Sequence, residues 1–77
     1  MSKKIKLIWD FRGPNSLKTA QHHGKHLKEF AQIEKLNFYE IDQLELSDLH
    51  CLSFIVIDEK DMKIYRDALK PHRGQLA

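Results

Sequence analysis

The 77 residues suffice for one domain (1–77) and are too few for two independent cores. Hydrophobic residues make up 42% and charged residues 31%, with three Gly and two Pro, a globular balance that argues against disorder. The net charge of +2 is uneven: residues 1–37 carry eight Lys/Arg against three Asp/Glu, and residues 38–77 carry five against eight, so one face can be basic and another acidic.

Lys4 to Phe11 reads as a strand. Ile5, Leu7, Trp9 and Phe11 alternate with Lys4, Lys6, Ile8 and Asp10 at the period of two that a half-buried strand requires. Arg12-Gly13-Pro14 breaks it, and Asn15 or Ser16 is placed to cap a helix over Ser16–Leu36. At about 100° per residue, Leu17, Ala20, Gly24, Leu27 and Ala31 share one stripe of that helix, with His23 and Phe30 on its shoulder, His26 further round and His22 nearly opposite. Asn37 is the expected left-handed C-cap residue.

Phe38 to about Leu46 is a second strand whose Glu40 and Asp42 suit a sheet edge, with a bulge or strand end near Gln43. Cys51–Ile57 is almost continuously apolar and reads as a central strand covered on both faces. Asp58 then caps a short helix to about Lys70, where Pro71 limits it, and residues 71–77 read as a mobile tail.

The order β-α-β-β-α with a right-handed crossover gives an α+β fold: a three-stranded antiparallel sheet in the order 1-3-2 with both helices on one face. This resembles a ferredoxin-like fold without its last strand, and the resemblance spans nearly the whole chain. Such a sheet leaves the first strand as an open edge and an apolar face bearing Ile8 away from the helices. Both features predict a homodimer.

Cys51 is the only cysteine, so no intrachain disulfide is available, and the N-terminal apolar run is interrupted by Lys6 and ends at Asp10. The expectation is a cytoplasmic protein without a membrane span. Arg12 and Gly13, beside a helix N-terminus, are candidates for anion binding.

The cluster His22-His23-Gly24-Lys25-His26 is the main candidate for chemistry. His22 and His26 have the four-residue spacing by which helical histidines share a metal ion, and His50, Cys51 or His72 could add a ligand. Alternatively Asp10 could orient His26 or His23 for acid–base catalysis. His26-Leu27-Lys28-Glu29-Phe30 is similar to the His-Leu-x-x-apolar segment in the first helix of YCII-related members of the dimeric α+β barrel group. In that family the histidine, with a partner aspartate, is the candidate catalytic group, so the resemblance implies that role for His26. At the position four before His26, where the family has arginine, this chain has His22.

Lys3, Lys4, Lys6, Arg12, Lys18, Lys25 and Lys28 offer charge for nucleic acid, but no RNP-type aromatic pattern accompanies them. No nucleophile, phosphate loop or cofactor motif stands out. The sequence therefore favours a homodimeric binding or regulatory module with a protein or small-molecule partner, ahead of an enzyme or metal-binding protein built on the histidines, or a nucleic-acid binder.

Overall fold

A computed structural model describes residues 3–77. The elements run β1 (Lys4–Arg12), α1 (Ser16–Ile33), β2 (Glu40–Ser47), β3 (His50–Asp58), a 3-10 turn at Glu59–Asp61, α2 (Met62–Leu69) and β4 (Arg73–Leu76). All strand pairs are antiparallel and the sheet order is β2-β3-β1-β4.

The expected three-stranded sheet is thus corrected to four strands, and β1 is interior rather than an open edge. Residues 73–76, read from the sequence as tail, lie against β1 in the register Ile5↔Leu76 to Ile8↔Arg73. The bracketing amides confirm the pairing: His72 N–H donates to the Ile8 carbonyl at 2.9 Å and Ala77 N–H to that of Lys4 at 3.0 Å. Every residue of β4 is exposed, so backbone pairing, not burial, holds the strand, and no apolar alternation announces it. The resulting β-α-β-β-α-β order is the ferredoxin-like connectivity with its last strand present.

The main core forms where the odd-numbered residues of β1 and β3 meet the helices. Ile5, Leu7, Trp9, Ile55 and Ile57 pack with Leu27 and Ala31 of α1 and Tyr65 of α2. Trp9 Nε1–H reaches across to donate to the Leu69 carbonyl at 2.9 Å, satisfying an end carbonyl of α2 while its ring is buried. The helix stripe is Ala20, Gly24, Leu27 and Ala31 as expected, but Leu17 is 36% exposed and Ser16 takes the inner position instead.

The opposite sheet face carries Ile8, Leu52, Phe54 and Val56. It is not the open apolar surface that the sequence suggested, for these four are only 3–8% exposed. A lysine lies over one of them, with Lys6 Nζ 4.1 Å above the Phe54 ring, and Lys4 Nζ sits 4.4 Å above the ring of Tyr39. Long cationic side chains can lay their methylene stems on apolar surface while their heads stay wet.

Boundaries differ locally. The first helix stops at Ile33, and the left-handed residue is Lys35 (φ 55°), not Asn37. Stopping there lets Leu36 fold back onto the core, its amide bonded to the Ala31 carbonyl at 2.8 Å. The register shift in β2 lies between Glu45 and Ser47, beyond Gln43. No described helix is long and apolar enough to cross a membrane.

Candidate functional site

The polar side chains of interest gather around the Arg12 end of β1. Asp10 occupies an even position, facing away from the helices, and β3 and β4 each begin beside it. His50 Nε2 lies 3.0 Å from Asp10 Oδ1, and Arg73 donates from Nε to Oδ2 at 3.0 Å and from Nη2 to Oδ1 at 3.1 Å. This is a fork of the kind that gives guanidinium–carboxylate pairs their strength and direction. His72 completes the cluster by accepting the Asp10 amide proton on Nδ1 at 2.8 Å, which leaves the neutral ring's proton on Nε2.

Burial pushes the Asp10 carboxyl up, but the hydrogen bonds and charges of Arg73 and His50 outweigh it and hold it below its usual value. Asp10 is therefore an ionised anchor joining β1, β3 and β4. Both of its oxygens are engaged, and no histidine of α1 touches it, so the Asp10–His26 or Asp10–His23 arrangement expected for acid–base chemistry is not formed. Arg12, at the strand end opposite His50, is exposed. Gly13, whose φ of 113° suits a residue without a side chain, donates its amide to the Leu49 carbonyl at 2.8 Å. That donor is already used, which leaves Arg12 as the remaining half of the anion candidate.

The helical histidines separate into two environments. His23 is half-buried edge-on between Trp9 and Phe11, with ring centroids 4.7 and 5.4 Å away. Burial lowers its pKa, the charges of His26 and His72 lower it further, and its Nε2 is buried with no hydrogen-bond partner among the described residues. It is a neutral packing residue near pH 7. His22 and His26 are exposed and converge, Nε2 to Nε2, at 2.9 Å.

The further ligands expected for that pair are elsewhere. Cys51 is buried and accepts from Ser16 Oγ at 3.3 Å, while His50 and His72 are held by Asp10. Among the described residues no group of three or more His, Cys, Asp or Glu is placed to share a metal ion. The basic residues also divide: Lys4, Lys6 and Arg12 belong to the sheet face, and Lys18, Lys25 and Lys28 to the helix.

Sequence reading did not anticipate a groove between α2 and β4. It has a volume of about 390 Å³ and apolar walls from Ile5, Leu7, Met62, Pro71 and Leu76, with Arg66 alongside. Gly74 keeps it open, since a side chain begun there would meet Leu7 Cδ2 at 3.3 Å. Neither the groove nor Arg73 was visible without β4. The one available signal was Asp10 itself, the single carboxylate of a strand otherwise built of apolar and basic residues, which calls for a cationic neighbour where it is partly buried.

No protein-family model matches the chain, and comparisons with curated proteins and with solved structures find no significant match.

Proposed function

We propose that the chain is a homodimeric binding module that joins two copies through the outer edge of β4 and works through that seam rather than through a reaction. The observation that carries this reading is the pairing of an open strand edge with an apolar groove beside it. Unpaired strand edges recruit further strands, and a groove alongside adds side-chain selectivity.

A two-fold axis normal to the sheet through Gln75 sets the partner's Leu76 opposite Gly74. Residues opposite one another share a face, so the exposed Leu76, with 69% of its surface in solvent, covers the wall that Gly74 leaves bare. The other free edge, β2, is a poorer seam because Glu40, Asp42 and Glu45 would repel their own copies. Arg73 poses no such problem, being neutralised by Asp10.

Catalysis is less well supported, since Asp10 is saturated and the neutral His23 is enclosed. Nucleic-acid binding is less well supported because lysines lie over Phe54 and Tyr39 and the basic residues occupy two layers. A reducing compartment suits the free Cys51, and we read the module as cytoplasmic.

Size-exclusion chromatography with light scattering at tens of micromolar tests the seam. The expected result is a dimer for the wild type and a folded monomer for Leu76→Glu, which places two carboxylates at the seam. A wild-type monomer would remove the reading, and a dimer that survives Leu76→Glu would move the interface elsewhere.

A further inference from the structure

We propose that His22 and His26 form a two-histidine chelate for a divalent transition metal that takes its ligands at right angles, copper(II) foremost and nickel(II) next. The inference is independent of the dimer seam, because it rests on the exposed side of α1.

Two distances support it. With metal–nitrogen bonds of about 2.05 Å and a ring radius of about 1.15 Å, ligands at 90° hold their nitrogens about 2.9 Å and their ring centroids about 4.5 Å apart. The observed separations are 2.9 Å between the Nε2 atoms and 4.5 Å between the centroids. A tetrahedral ion such as zinc(II) would need about 3.3 Å and about 5.2 Å for the same pair.

In the ion-free chain the two rings are within hydrogen-bond distance, but the bond is bent, since an N···N distance of 2.9 Å along both ring axes would put the centroids about 5.2 Å apart. The shorter centroid distance means that the ring axes turn away from the N···N line, as a shared metal ion requires. Nearly perpendicular rings, at 87°, are compatible with that arrangement. The helix supplies the preorganisation, because residues four apart stand one above the other on the same face.

Both rings are exposed, so an ion arrives without rearrangement of the core. No third protein group among the described residues is placed to join, and water completes the coordination. Both imidazoles bind as neutral ligands through Nε2, with the ring proton on Nδ1. Redox chemistry is no part of the proposal.

The test uses the full chain without an affinity tag, titrated at pH 7.5 with copper(II), nickel(II) or zinc(II) chloride by calorimetry. Electron paramagnetic resonance of the copper form provides a second readout. One copper ion per chain is expected, with hyperfine coupling to two imidazole nitrogens. His22→Gln and His26→Gln should each weaken copper binding at least tenfold, while His72→Gln should leave it unchanged. Circular dichroism confirms the fold of each variant.

Nickel against zinc is the sharper test of geometry, because copper leads at almost any nitrogen site. Nickel should bind at least as tightly as zinc. Zinc binding tenfold tighter than nickel would overturn the right-angle assignment. Absence of copper uptake, or full-strength uptake by the His22→Gln/His26→Gln double variant, would overturn the site.

Discussion

Asp10 and His23, on opposite sides of the sheet, both resist a proton in the folded chain, one through its hydrogen-bonded cationic neighbours and the other through burial. The Asp10 carboxyl is held down in the folded chain, so its contribution is fully present above its unfolded value of about 3.9 and is lost as pH falls through the lower folded value. Asp10→Asn should be less stable near pH 7 by about 1–2 kcal/mol and should show a shallower loss of stability below pH 4 than the wild type, as measured by urea unfolding across pH. His23 is also held below its ordinary value of about 6.5, but by burial of a group that is neutral when folded. The unfolded chain takes up that proton first, so stability falls as pH drops below about 6.5. In the same measurements His23→Leu should flatten the curve between pH 7 and 5; an unchanged slope would show that His23 takes up its proton without unfolding. Helical periodicity placed His23 beside the core, which the ring contacts with Trp9 and Phe11 bear out. It could not reveal that Asp10 faces His50 and Arg73, residues 40 and 63 positions away in the chain.

At the scale of elements, α1 was the most legible. Its buried positions follow the helical period, and only the ends slipped, because Leu36 is drawn to the core and Leu17 is displaced by Ser16. Gly24 gives the helix a clear opportunity for improvement. An added Cβ would sit 3.9 Å from Ile41 Cγ2, an ordinary contact, so no close approach requires glycine there. Gly24→Ala should raise stability by about 1 kcal/mol through helix propensity, read as a higher denaturant midpoint. β3 was nearly as legible because seven consecutive residues, Cys51 to Ile57, are buried, and a strand covered on both sides shows itself as a run that is apolar here but for Ser53. β4 was not. Arg-Gly-Gln-Leu carries one apolar residue, and a strand held by its backbone leaves no side-chain pattern to read.

For the whole molecule, the connectivity through five elements followed from sequence, and the sixth changed what the surface offers. It closes the edge of β1, moves the open edge outward and creates the groove beside α2. Deleting residues 72–77 should therefore uncover β1 and produce concentration-dependent aggregation, measured by light scattering, at concentrations where the intact chain stays small. If the truncated chain remained a folded monomer, β4 would be dispensable to the sheet.

The same arrangement sets an order on assembly. Trp9 bonds to Leu69 and Asp10 to Arg73, so β1 finds two of its final partners 60 and 63 residues further along the chain. Pairing across such separations is slow because long loops must close before any contact rewards them. During synthesis the Ile5, Leu7 and Trp9 face of β1 stays incompletely covered until α2 and β4 have emerged. The lysines at positions 4 and 6, interleaved with that face, keep the waiting segment charged during the interval when it is most exposed to other nascent chains.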